Sequence, residues 1–216
     1  SSTIGRKYAM ALSAMFLLLF LIMHLSVNLI SVFSPSAFNS ASEFMGYNPL
    51  IQFLMQPILG FAVIFHFVMG FVLELKNRSA RPVKYAMNNG SANSTWMSRN
   101  MIISGLVVLV FLGLHMYDFW WHEINFKYVE ANTPDNERFW HELHAKFADA
   151  WRVIFYIIAF VLLGLHLAHG FQSSFQSVGA RHPKYTPVIK ALGTWYSILI
   201  PAGFIIIALY HFLTQS

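Results

Sequence analysis

The sequence predicts an all-α membrane protein, a five-transmembrane-helix bundle forming a single domain over residues 1–216. Three observations carry that prediction. Only 11% of the residues are charged, whereas 56% are hydrophobic and mean hydropathy is +0.53; soluble domains carry roughly 25% charged residues. Five runs reach the length of about 20 apolar residues that a helix needs to cross the hydrocarbon core. The basic residues, finally, collect in alternate connections between those runs, as they do in polytopic membrane proteins.

The first run covers about 8–33, after Arg6 and Lys7, with Tyr8 at its entry. It is too long for the apolar part of a signal peptide and continues past the place of a small-residue cleavage site, so no cleavable leader is expected. The connection that follows contains Glu43, Tyr47 and Asn48. The second run, about 50–76, carries Pro57 and the stretch VIFHFVMGF, with His66 in its middle. The basic segment 76–99 leads, past Trp96, into the third run, about 98–121, which holds His115 and ends at Trp120 and Trp121. From His122 to Asp149 runs the longest connection, with room for a short helix. Its HELH stretch, His141 to His144, has an i, i+3 spacing compatible with a metal, but it is read as a solvated loop face because no further ligands accompany it. The fourth run, about 150–176, begins at Trp151 and contains HLAHGF. The fifth, about 187–213, contains Trp195, an internal Pro201 and a solitary His211 read as structural. Proline inside a membrane helix is tolerated and bends it, and tryptophan and tyrosine at the ends mark the interfaces.

Charge sorting sets the orientation. Arg6 and Lys7, then Lys76, Arg78, Arg81, Lys84 and Arg99, then Arg181, Lys184 and Lys190 account for ten of the fourteen basic residues, all on one side. Eight of the nine acids lie on or near the other side, Glu74 being the exception. The positive-inside rule therefore places the N-terminus in the cytoplasm. Because the cations are topology signals, a nucleic-acid partner is excluded. The chain has no cysteine. It can hold no iron–sulfur cluster, no covalent haem and no disulfide, so any redox cofactor is bound non-covalently through histidine or methionine.

An ionisable group in the hydrocarbon core costs about 2–3 kcal/mol or more and usually marks function. Each of the first four runs nevertheless carries one deep histidine: His24, His66, His115 and His166. His24 stands 17 residues beyond Lys7 and His115 stands 16 beyond Arg99, which puts both about 25 Å from the inner anchors. His66 stands 10 residues before Lys76 and His166 stands 15 before Arg181, or roughly 15–22 Å from the same side. The four fall at two levels, His24 with His115 toward the outside and His66 with His166 toward the inside. Two facing pairs on four antiparallel helices describe two bis-histidine haem sites in a bundle core. Two axial histidines leave no open iron position, which suits electron transfer. Gly70 and Gly170, one turn past His66 and His166, would leave room for a porphyrin edge. His169 competes with His166, but the H-x-x-x-G-F spacing shared by HFVMGF and HLAHGF favours His166. Arg152, Arg181 and Lys184 are candidates to reach haem propionates. Asp118 shares a face with His115 and is a candidate for proton handling or for a hydrogen bond to a quinone, alongside the plainer reading of a carboxylate solvated at a helix end.

With these motifs in place, LIMHLSVNL, HFVMGF, LGLHMYDFW and HLAHGF, the chain resembles the five-span dihaem cytochrome b subunit of succinate:quinone oxidoreductases, a family that includes quinol:fumarate reductases. The resemblance covers essentially the whole chain. It implies two haem b groups, an inner one on His66 and His166 and an outer one on His24 and His115. It implies a bacterial cytoplasmic membrane, surrounding lipid, and two hydrophilic subunits on the cytoplasmic face, a flavoprotein with FAD and the dicarboxylate site and an iron–sulfur protein. Electrons would pass between their clusters and a quinone, often menaquinone, near the outer haem. In one branch an acidic residue in the first outer connection serves quinone chemistry, and Glu43 falls in that region. A glutamate near the fourth-helix ligand in that branch has no counterpart here, where Gly164 and Leu165 precede His166.

Three rivals remain. The bc-type cytochrome b pairs its ligands on single helices about four turns apart, an arrangement no run here shows. The haem b subunits of hydrogenases and formate dehydrogenases use fewer spans. A histidine-containing transporter would place carboxylates at mid-membrane, whereas the acids here sit near the ends.

Overall fold

The computed structural model describes residues 3–79, 101–132, 135 and 137–215. Arg81, Lys84, Trp96 and Arg99, used above for orientation and for the third run, lie outside the described residues. Among the described residues all regular structure is helical. The helices are α1 (Thr3–Phe33), α2 (Pro35–Tyr47), α3 (Gln56–Ser79), α4 (Met101–His115), α5 (Arg138–Lys146), α6 (Ala150–Ser177) and α7 (Thr186–Leu213). Five stretches are long and apolar enough to cross a membrane: Ile4–Phe33, Ile51–Asn77, Met101–Val129, Ala150–Ser177 and Thr186–Leu213. The third differs most from expectation. Instead of ending at 121, α4 continues through a π-helical segment, Met116–Trp121, a turn of α-helix and a second π segment, Asn125–Val129.

Local chemistry explains the breaks. Proline disfavours helical geometry in the residue before it, and Ser34, before Pro35, is extended at φ −154° and ψ 110°. Its hydroxyl then accepts from the amide of Ala37 at 3.2 Å, capping α2. At the other end of α2 the Asn48 side chain accepts from the Leu50 amide at 2.9 Å, which turns the chain into α3. Beyond α6, Gly179 takes φ 86°, a left-handed conformation that side chains resist. Inside α7, Pro201 has no N–H to give the Ser197 carbonyl one turn back.

Helices α1, α3, α4 and α6 form a ring in which each packs on the next, and α7 lies outside it against α1 and α6. The best-buried core runs between α6 and α7, through Phe160, Leu163, Leu167, Ile200, Phe204 and Ile207. Tyr196 ties α7 to α1 by donating to the Leu18 carbonyl at 2.6 Å. On α3 the outward residues Phe61, Ile64, Val68 and Leu75 are exposed; so broad an apolar surface belongs in lipid rather than water.

Helices α2 and α5 cover one end of the bundle. Trp140 of α5 donates its indole N–H to the Ser31 carbonyl at 2.9 Å and its amide to Asn39 Oδ1 at 2.7 Å. Arg138 reaches Glu142 at 2.9 Å and also pairs with Glu123 on the continuation of α4. Burial opposes its charge, but those two carboxylates more than compensate and raise its pKa.

Candidate functional site

The four deep histidines lie inside the ring, one on each helix, at two levels. At the α2/α5 end the rings of His24 and His115 face each other with centroids 5.7 Å apart and planes at 89°. Toward the opposite end, His66 and His166 stand 6.4 Å apart with planes at 68°. A bond from a metal to an imidazole nitrogen is about 2.0 Å long, so two imidazoles on opposite sides of one metal put their centroids about 6.3 Å apart. The His66–His166 centroids lie about 0.1 Å from that spacing, and the His24–His115 centroids fall about 0.6 Å short of it. His169, one turn beyond, is half-buried and makes no ring contact with His66.

The pairs differ in their surroundings. At the His66–His166 level, Ser13 Oγ on α1 lies 3.3 Å from His66 Nδ1, and Ser104 Oγ on α4 lies 3.3 Å from His166 Nδ1. A Cβ on Gly105 would meet His166 Cε1 at 3.5 Å. A Cβ on Gly70 would meet only Met10 Cε, at 3.8 Å, and one on Gly170 only Met101 Cε, at 3.6 Å. The two glycines thus face flexible methionine ends, not backbone.

At the other level, Phe20 stacks on His24 at 5.2 Å and Phe111 on His115 at 5.7 Å, each one turn before its histidine. The Asn28 amide nitrogen lies 3.4 Å from His24 Nδ1 and donates to the His24 carbonyl at 2.8 Å. His115 Nδ1 is buried without a hydrogen-bond partner. A buried polar atom left so is uncommon and calls for an explanation.

Asp118 is the main departure from the sequence reading. It is not solvated at a helix end but is 1% exposed. The π-helical segment that begins directly after His115 shifts the phase of the residues beyond it, and wide turns of this kind recur at functional sites. Tyr156 of α6, itself fully buried, donates its hydroxyl to Asp118 Oδ2 at 3.0 Å. Arg152 Nε lies 3.1 Å from the same oxygen, an ion pair too oblique for a hydrogen bond, and Arg152 also reaches Asp149 at 3.0 Å. Asp118 Oδ1 is buried without a partner. Tyr156 in turn packs 6.4 Å from the His115 ring. Arg152 is therefore committed to two carboxylates. Arg181 and Lys184 lie in the connection between α6 and α7, at the opposite end from α5. Glu43 is half-buried on α2 and is not brought to Asp118, whose partners are Tyr156 and Arg152.

The HELH stretch is also not a uniform solvated face. His141 is exposed, but His144 is half-buried, stacked on Trp140 at 4.5 Å, and its Nδ1 lies 3.1 Å from Nδ1 of the fully buried His211. His211 Nε2 lies 3.0 Å from Ser31 Oγ, whose own hydrogen goes to the Asn28 carbonyl at 2.6 Å. Burial, and then the neighbouring His141, hold the His144 pKa below the usual value. Among the described residues no three His, Cys, Asp or Glu side chains converge on a common metal position. A group held between two facing imidazoles would need no such cluster. The donor set, two facing pairs of imidazoles contributed by four different helices, fits haem iron at both levels.

Sequence reasoning overlooked Ser13, Ser104, Tyr156 and the Asp118–Arg152 pair. A signal for the serines exists: Met-x2-Ser-x6-Phe-x3-His occurs as Met10, Ser13, Phe20, His24 and again as Met101, Ser104, Phe111, His115. No family model, curated protein or solved structure matches this chain.

Proposed function

We propose that this chain is the dihaem cytochrome b membrane anchor of a succinate:quinone oxidoreductase, with its N-terminus in the cytoplasm of a bacterial cell. The observation that carries the reading is the set of two facing histidine couples, one histidine from each ring helix, at two levels of the bundle. His66 and His166 would hold the inner haem b, and His24 and His115 the outer one. When bound, such haems would supply one-electron transfer.

The protein's own residues do the rest. Phe20 and Phe111 stack on the outer histidines and fix their planes. The aromatic and aliphatic walls of the ring surround the imidazoles with apolar side chains. Tyr156 keeps its proton on Oη, aimed at Asp118 Oδ2, while Arg152 balances the carboxylate charge. The free lone pairs of Asp118 Oδ1 lie beside the outer level, which makes Asp118 the stronger quinone-side proton candidate; Glu43 is the second. The basic N-terminal end suits docking of an iron–sulfur and a flavoprotein subunit, which would carry the FAD and the dicarboxylate site. Quinone, menaquinone among the candidates, would react at the α2/α5 end.

The test is a reduced-minus-oxidised optical spectrum of the purified protein, with haem quantified against protein as the pyridine haemochrome. Two b-type haems per chain, reducible by succinate once the partner subunits are present, is the expected result. A chain that binds no haem overturns the proposal.

A further inference from the structure

The two halves of the ring repeat one another in contacts as well as in sequence. Helices α1 and α4 carry the Met-Ser-Phe-His pattern, and α3 and α6 carry His-x3-Gly-Phe, as His66, Gly70, Phe71 and His166, Gly170, Phe171. Between them the same contacts form twice. Ser13 meets His66 and Met10 faces Gly70; Ser104 meets His166 and Met101 faces Gly170. Each serine therefore serves the histidine of the following membrane helix, not the histidine of its own.

The hydrogen-bond count fixes the proton positions. A serine hydroxyl has one proton to donate. Ser13 gives it to the Met10 carbonyl at 2.8 Å, and Ser104 gives it to the Met101 carbonyl at 2.9 Å. What remains for each histidine is an oxygen lone pair, so the contact with Nδ1 is a hydrogen bond only when the imidazole carries its proton there. The 3.3 Å separation is at the long end of the hydrogen-bond range, yet it occurs at both positions, to the same nitrogen, with the same serine geometry. A neutral imidazole protonated on Nδ1 has its free lone pair on Nε2. The partners of the outer pair are different, an amide nitrogen at His24 and none at His115 Nδ1.

We infer that Ser13 and Ser104 are positioning residues that hold His66 and His166 in the Nδ1-protonated tautomer and thereby reserve both inner Nε2 atoms for a shared ligand. In its application to haem this rests on the function proposed above. An outer-shell acceptor for the second ring nitrogen fixes ring orientation and raises ligand basicity. A more basic ligand favours the oxidised metal, so loss of the serine raises the midpoint potential.

The experiment uses the full chain in membranes with its partner subunits, comparing Ser13→Ala, Ser104→Ala, the double variant, and Ser→Thr at each position, which keeps the hydroxyl. Midpoint potentials and low-temperature EPR signals of both haems are read, together with haem content. Each alanine variant is expected to raise the inner potential alone, by about tenfold in the reduced-to-oxidised ratio for the pair, or about 59 mV for one electron. The threonine variants should return it to the wild-type value. Two haems with unmoved inner potential and EPR signal in the alanine variants overturn the inference, as does an equal shift of both haems. If the wild-type chain binds no haem, the functional proposal fails separately. The tautomers are then read by nitrogen-15 NMR of the imidazoles, where Nε2-protonated His66 or His166 overturns the inference and Nδ1-protonated rings sustain it.

Discussion

Replacing Asp118 by alanine is the sharpest test of how the His24–His115 level is built. The carboxylate is completely buried, and Arg152, its partner at 3.1 Å, keeps only 14% of its side chain exposed. Removing one member of a buried pair leaves an uncompensated charge, at a cost of about 3–5 kcal/mol. Arg152 retains Asp149 at 3.0 Å, but that carboxylate is 58% exposed and compensates weakly. The Tyr156 hydroxyl also loses its acceptor, a buried donor left unsatisfied, which costs about 1–3 kcal/mol. The two losses share one carboxylate and do not add in full, so Asp118→Ala is expected to destabilise by about 3–4 kcal/mol. Asp118→Asn retains an acceptor for Tyr156 and removes only the charge, so it should lose less. Combining Asp118→Ala with Tyr156→Phe should recover the hydroxyl part. Reversible unfolding in mixed detergent micelles, followed by tryptophan fluorescence and circular dichroism, gives the free energies and the double-mutant cycle. A loss below about 1 kcal/mol for Asp118→Ala, the value for an exposed pair, would refute the buried network.

Four further outcomes are expected. On the proposed function, His66→Ala or His166→Ala should abolish the haem proposed between these two residues and spare the one proposed on His24 and His115, read as one haem per chain in the pyridine haemochrome; two retained haems would break the assigned pairing. Gly164→Ala would place a Cβ 2.9 Å from the Ser197 carbonyl and 3.3 Å from Pro201 Cγ, neither able to swing aside, so α6 and α7 must part at a cost of about 1–3 kcal/mol. Gly60→Ala, on α3 with nothing within 4 Å of the new Cβ, should instead stabilise, by about 0.5–1 kcal/mol in the same unfolding assay. His144 has a lowered pKa in the folded chain, beside His141 on its own helix and His211 on α7. Below about pH 6.5 the unfolded chain then binds the extra proton first, so stability falls as pH drops through that region and is flat above it. Thermal unfolding at pH 7.5 and pH 5.5 should show the loss, and His144→Asn should diminish it.

The sequence alone determined that five membrane-length helices form, roughly where all but the third begin and end, and how far along its helix every histidine lies. It could do so because apolar length and a fixed rise per residue are one-dimensional quantities. What faces what is not one-dimensional. The burial of Asp118 follows from a π-helical turn whose phase shift no hydropathy count registers, and its partners Tyr156 and Arg152 come from a helix more than thirty residues away. The link from His144 through His211 to Ser31 joins three helices that are remote in the chain. The serines at His66 and His166 leave a trace in the sequence, the repeated Met-Ser-Phe-His spacing, but its meaning needed the neighbouring helix in place. Helix azimuth and the choice of neighbour are set by packing α7 against α1 and α6 and closing the ring of four, and tertiary structure alone decided them.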